Sequence, residues 1–306
     1  MRKVAVAFDT SNYTTSFAVF DGERGENSGR LLDVAPGQLG LRQSDALFSH
    51  VRRLPEIVRA VELEDCEIVA VGASTQPRET EGSYMPCFLA GASQGEVLAR
   101  ILGVPYYPFS HQQGHIAAAA WSAGRPELME SPHLAWHLSG GTTELLLVRP
   151  KDRAFYCEII GGTTDVSAGQ IADRTGQLLC LRFPAGKELD KLSKTAVNKE
   201  KWTPRVEGCS FSLSGVEHKV KQRAEAGEKA CEIAYFALAS VFSAVKKATE
   251  NARDRYGDLP VLYSGGVASN SLLREITPEG IFAEPRYSTD NALGVAILAW
   301  REYANG

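Results

Sequence analysis

Two stretches of the same form stand almost half a chain apart. Residues 3–20 read as an apolar strand (Lys3-Val4-Ala5-Val6-Ala7-Phe8), a turn of small polar residues (Asp9-Thr10-Ser11-Asn12-Tyr13-Thr14-Thr15) and a second strand (Ser16-Phe17-Ala18-Val19-Phe20). Residues 132–148 repeat it: His133-Leu134-Ala135-Trp136-His137-Leu138, then Ser139-Gly140-Gly141-Thr142-Thr143, then Glu144-Leu145-Leu146-Leu147-Val148. Within 306 residues, enough for two ordinary domains, the repetition predicts a duplicated α/β fold with a ligand between its halves. The halves are expected at 1–130 and 131–290, with the last helix, 291–306, returning to pack on the first.

The turns are the first candidates for chemistry. Backbone N–H groups around Ser11 can turn inward on a phosphate, or the segment is a plain polar hairpin. Gly140 and Gly141 let backbone approach a phosphate closely, or close a glycine hairpin. A third turn, Ser264-Gly265-Gly266-Val267-Ala268-Ser269-Asn270, stands between a buried strand and a helix, where backbone donors gather at a helix N-terminus. Asp165 is placed to cap the helix that runs to Cys180, with Asp173 two turns along it.

Histidines supply a second cluster. His111-Gln112-Gln113-Gly114-His115 lies between an extended run ending at Phe109 and an Ala-rich helical run, so both imidazoles fall on the opening turn of a helix. Residues at i and i+4 face the same way there and can converge on one ion. Two histidines do not close a site; His137 and Asp290 are the further candidates. Asp290 is equally suited to cap the last helix, and a histidine pair can serve hydrogen bonding alone.

Several classes are excluded. No apolar run is long enough for a membrane span, and Met1-Arg2-Lys3 passes directly into a strand rather than a signal peptide. The six cysteines include no Cys-x-x-Cys pair, which suits a reducing cytoplasm better than a disulfide frame. A net charge of −4 leaves any nucleic-acid contact to a local basic face, such as the modest Lys excess between 187 and 223.

His111-x-x-Gly114-His115, Ser139-Gly140-Gly141-Thr142-Thr143, Gly169 with Asp173, Phe211-Ser212-Leu213-Ser214-Gly215, Ser264 to Asn270 and Ser288-Thr289-Asp290-Asn291 together resemble the TsaD family in order and spacing. The resemblance implies the actin-like ATPase (ASKHA) fold: two ribonuclease H-like halves with a nucleotide cleft. It implies transfer of threonylcarbamoyl from an adenylate to N6 of the adenosine beside the anticodon in tRNA. His111, His115 and Asp290 would hold one divalent metal ion. His137, where archaeal and eukaryotic members carry a tyrosine ligand, would extend the set, and imidazoles with a carboxylate suit iron or zinc. Leu138, Ser139, Gly140 and Gly141 would line the adenine nucleotide or adenylate, with Asp173, Gly186 and Asn270 at its ribose and base and Ser11, Gly265 and Gly266 completing the turns. No catalytic residue is implied. The partners implied are tRNA, a smaller TsaB-like subunit and a P-loop ATPase, in the cytoplasm.

Most departures from the family lie where a substrate or catalytic group is expected. Tyr13 and Thr14 replace an acidic pair, Gln113 a glutamate, Thr142 a histidine and Val166 an aspartate, while Gln76 to Gly82 replaces a glycine-rich loop. They support an alternative, a catalytically altered paralogue that serves as a nucleotide- and metal-binding scaffold or regulatory subunit. The family's former label, a metalloprotease, ranks last: a zincin needs Glu as general base where this chain has Gln112, whose amide cannot take the proton.

Overall fold

The structure is a computed structural model that describes residues 1–11, 13–33, 41–80, 82–151, 154–288 and 291–306. It divides into two units: Met1–Ser131 with Arg149–Cys157 and Thr289–Gly306, and Pro132–Val148 with Glu158–Ser288.

The first unit is built on β1 (Arg2–Asp9), β2 (Thr14–Phe20), β3 (Gly25–Leu31), β4 (Cys66–Gln76) and β5 (Tyr106–Ser110), in the spatial order β3-β2-β1-β4-β5. β1 pairs antiparallel with β2 and parallel with β4, which pairs parallel with β5. The apolar run of β1 is continuous rather than alternating because helices cover both faces. α2 (Leu89–Leu102) brings Gly95 against Phe8 and Ala73, and α9 (Leu293–Asn305) brings Val295 and Ala299 against Gly72. α1 (Gln43–Arg59) runs through Pro55, and α3 (His111–Ser122) lies along α9. α2 ends at Gly103, whose left-handed φ of 69° makes the C-cap expected of a glycine there.

The second unit repeats the strand order. β6 (His133–Leu138), β7 (Thr143–Lys151), β8 (Ala154–Thr163), β11 (Val261–Ser264) and β12 (Ile281–Phe282) lie as β12-β11-β6-β7-β8, so β6 takes the place of β1. β10 (Ser210–Phe211) and β9 (Val206–Glu207) extend the β8 edge. α4 (Ala168–Leu178), α5 (Gly186–Ser193), α6 (Ser214–Glu225), α7 (Ala230–Tyr256) and α8 (Ser271–Ile276) complete it. Its core gathers Trp136, Leu145, Phe211, Phe242 and Tyr263 around α7, and the Trp136 indole donates to Thr249 Oγ1 at 2.8 Å. Among the described residues, no helix is long and apolar enough to cross a membrane.

One expectation is corrected. The helix after 165 begins at Ala168, capped by Ser167 in a reciprocal capping box with Gln170 rather than by Asp165. The run before Gly161 is the strand β8. The Lys- and Ser-rich stretch after 186 contains α5 and α6.

Candidate functional site

In the first unit, the carboxyl ends of β1 and β5 carry the polar groups. Ser110 caps α3 in a capping box with Gln113, which fixes the turn that holds both histidines. His111 Nε2 and His115 Nε2 lie 2.8 Å apart, so the two rings converge on one point. His111 Nδ1 lies 2.6 Å from Oδ2 of Asp9, the last residue of β1. Asp9 is 1% exposed, and its Oδ1 accepts the Ser11 N–H at 2.8 Å. A buried carboxylate requires partners of this kind. Sequence reasoning did not single out Asp9; a charged residue closing an otherwise apolar buried strand was the signal.

Gln113 is tied down on both sides of its amide. Oε1 accepts the Ser110 N–H at 2.8 Å, while Nε2 donates to the Phe155 carbonyl at 2.8 Å and to Glu79 Oε2 at 3.3 Å. Gln112 N–H donates to the Pro77 carbonyl at 3.0 Å. Pro77 and Glu79 are therefore held on the first turn of α3.

Two nitrogen donors converge in this unit. Among the described residues, no group of three or more His, Cys, Asp or Glu is placed to hold a metal ion. Asp290 lies outside the described residues. His137 stands on β6 of the second unit, in register with Glu144 and Ser264, its Nδ1 3.5 Å from Ser264 Oγ. The donor chemistry fits a metal: neutral imidazoles offer Nε2 lone pairs, and a carboxylate behind a ligating histidine is the usual support. His50, the other histidine on a first-unit helix, is buried with Nδ1 2.8 Å from Thr15 Oγ1, a structural contact.

The second unit brings most of the expected nucleotide residues into one cluster. The Ser139 turn closes by Ser139 N–H to the Thr142 carbonyl at 2.8 Å and Thr142 N–H to Ser139 Oγ at 3.0 Å. Ser167 Oγ donates to the Gly140 carbonyl at 2.6 Å, docking the turn on the start of α4. Two glycines make close approach possible. A Cβ on Gly169 would lie 2.4 Å from Gly140 Cα, and one on Gly265 would lie 2.2 Å from the Leu138 carbonyl oxygen, at a φ of 92° that side chains avoid. Asp173 Oδ1 accepts the Ala185 N–H at 2.9 Å and so fixes the start of α5 beside Gly186. Asp190 on α5 accepts Ser271 Oγ at 2.7 Å, and Asn270 caps α8 through the Leu272 N–H at 2.9 Å. By contrast, a Cβ placed on Gly140, Gly141, Gly186 or Gly266 would meet nothing within 4 Å among the described residues. The turns thus pack through one set of glycines and leave backbone open at another. Ser11 belongs to the first unit, buried beside Asp9.

Asp165 has a different role from the one expected. Burial alone would raise its pKa, but Ser212 Oγ and the N–H groups of Leu213, Val166 and Ser214 all donate to it and hold it far below the usual carboxylate range. It pins the Phe211 to Gly215 segment to the loop before α4.

Solved structures define the class. Full-length HypF in its phosphate- and nucleotide-bound form matches 98% of this chain and 55% of its own at a TM-score of 0.61 and 14% identity. The activator of 2-hydroxyisocaproyl-CoA dehydratase from Clostridium difficile, with bound ADPNP, matches 100% and 96% at 0.54 and 16%. Likeness of this kind defines a protein of the actin-like ATPase (ASKHA) fold. Within that class, the TsaD family profile, described as tRNA N6-adenosine threonylcarbamoyltransferase, matches residues 48–297. The Thermus thermophilus enzyme of that name is 32% identical over 271 residues, 84% of this chain and 79% of the relative. That of Enterococcus faecalis is 32% identical over 297 residues, 90% and 80%. The chain belongs to the TsaD family.

Proposed function

We propose that this chain binds an adenine nucleotide or adenylate on the glycine turns of its second unit and transfers threonylcarbamoyl from threonylcarbamoyl-AMP to N6 of adenosine in tRNA. The observation that carries the reading is the open backbone at Gly140, Gly141, Gly186 and Gly266, next to turns that pack tightly through Gly169 and Gly265. Backbone N–H groups left accessible at helix starts suit phosphate oxygens. Leu138, Ser139 and the paired glycines line the adenylate, and Asp173 and Asn270 act by holding α5 and α8 around its ribose and base.

His111 and His115 hold one divalent metal, iron or zinc, with Asp290 as the next ligand. A metal there supplies a Lewis acid for the carbamoyl carbonyl. The protein's own contribution is to hold the two imidazoles on a capped helix turn and to present the adenylate on fixed backbone. The partners of the reading are tRNA, a smaller related subunit and a P-loop ATPase, all cytoplasmic.

The test is metal analysis and calorimetric titration with AMP and ATP, followed by transfer to tRNA. Stoichiometric iron or zinc, nucleotide binding near −8 kcal/mol (roughly micromolar) and threonylcarbamoylated tRNA are expected. His115→Ala should abolish the metal. Metal retained in His115→Ala would sink the site as drawn.

A second reading, a scaffold that binds nucleotide without transfer, is favoured by Gln113. At the family's usual glutamate position this chain has an amide committed to Ser110, Phe155 and Glu79. Nucleotide binding without adenylate turnover would select it.

A further inference from the structure

The Asp9 carboxylate meets the His111 ring in a specific geometry. A carboxylate offers only acceptors, so the 2.6 Å contact between Asp9 Oδ2 and His111 Nδ1 places the ring proton on Nδ1. In a neutral imidazole the lone pair is then on Nε2, the atom 2.8 Å from His115 Nε2. The capped turn fixes the His111 backbone but does not choose between the two ring orientations related by a flip, which exchange nitrogen for carbon at each edge. Phe88, edge-on at 6.2 Å, restrains the ring plane without distinguishing those orientations. Asp9 does distinguish them, and it is itself held by the Ser11 N–H and by its place at the end of β1.

We infer that Asp9 is the positioning residue of the histidine pair: it selects the Nδ1–H tautomer and the ring orientation of His111, so that Nε2 faces the point shared with His115. The arrangement is the carboxylate–histidine support that raises the basicity and affinity of a ligating imidazole. Its consequence for metal affinity rests on the metal reading of the proposed function. Its consequence for the tautomer does not.

The experiment separates the two. Long-range proton–nitrogen NMR of the metal-free protein, at about pH 8, above the ordinary imidazole range, reads the His111 tautomer in the wild type, Asp9→Asn and Asp9→Ala. Titration with Zn2+ alone reads affinity. A wild-type Nδ1–H tautomer that is lost in Asp9→Ala, with zinc affinity lowered about 10- to 100-fold and Asp9→Asn intermediate, is the expected result. Should Asp9→Ala fail to fold, Asp9→Asn carries the test, since it keeps an acceptor without the charge. His111 protonated on Nε2 in the wild type would overturn the inference, as would a tautomer and affinity unchanged in both variants. If the tautomer shifts but not even the wild type binds zinc, the positioning role stands and the metal reading falls.

Discussion

Gly294→Ala should loosen the crossing on which the histidine turn depends. A Cβ on Gly294 of α9 would lie 1.8 Å from the Gly114 carbonyl oxygen, 2.6 Å from Gly114 C and 2.9 Å from Ala118 N. All three are backbone atoms of α3, so no side chain can swing aside. Nonbonded heavy atoms rest at about 3.5 Å, so the helices must part by about 1.5 Å. The crossing is fully buried, with Ile116 to Ala120 on one side and Val295 to Ala299 on the other. Overpacking of a tight core costs about 1–3 kcal/mol, and a backbone-to-backbone clash falls at the upper end. The better helix propensity of alanine returns about 1 kcal/mol, leaving a net loss of about 2 kcal/mol. For a unit of this size that lowers Tm by about 4–8 °C. Because Gly114 stands between His111 and His115, zinc affinity should fall as well. Circular dichroism melting and zinc calorimetry provide the readouts, with Gly140→Ala, which meets no described neighbour, as the control. A Gly294→Ala protein with wild-type Tm and wild-type zinc affinity would refute the crossing.

Gly266→Ala also adds a methyl where no described residue lies within 4 Å, so stability should stay within about 0.5 kcal/mol while nucleotide affinity falls about tenfold or more; calorimetry with AMP showing no loss would remove that turn from the binding surface. Asp165→Asn should destabilise by about 1 kcal/mol at neutral pH, a charged hydrogen-bond network discounted for its exposure. The folded pKa of Asp165 is depressed, so its stabilisation is present above the unfolded value and fades as pH falls through the folded one. Urea midpoints of variant and wild type should therefore converge in strong acid; a gap that is independent of pH would contradict this. Gln113→Glu forfeits the donations to Phe155 and Glu79 and sets two carboxylates side by side, costing about 1–3 kcal/mol near neutrality. The loss should shrink on acidification as the new carboxyl takes a proton, and equal midpoints at neutral pH would show that the amide is not needed.

Periodicity made most of the scaffold legible. The repeated strand, polar turn and strand led to two units with the same strand order, because an apolar run in a sheet covered on both faces is written plainly in residue type. β3 was missed for the converse reason: Gly25-Glu26-Asn27-Ser28-Gly29-Arg30-Leu31 is an edge strand held to β2 by backbone pairing, with side chains that largely face solvent. α6 and β8 were missed because charged residues and glycines obscure their faces. Asp165 looked like a helix cap by spacing, but Ser167 lies nearer the helix start and leaves Asp165 to gather donors from 212–214, far away in sequence.

The histidine pair divides the same way. The spacing of His111 and His115, with serine before them and glycine between, determined a capped helix turn with both rings on one face, since local hydrogen bonding and helical pitch are properties of adjacent residues. That Asp9, 102 positions earlier, supports one of those rings was decided only when parallel pairing of β1, β4 and β5 brought their carboxyl ends side by side. The glycines divide likewise: sequence showed where backbone was bare, and only packing showed that Gly169, Gly265 and Gly294 are filled by a neighbouring chain segment while Gly140, Gly141, Gly186 and Gly266 are left open. Steric occupancy belongs to pairs of segments, and no single segment encodes it.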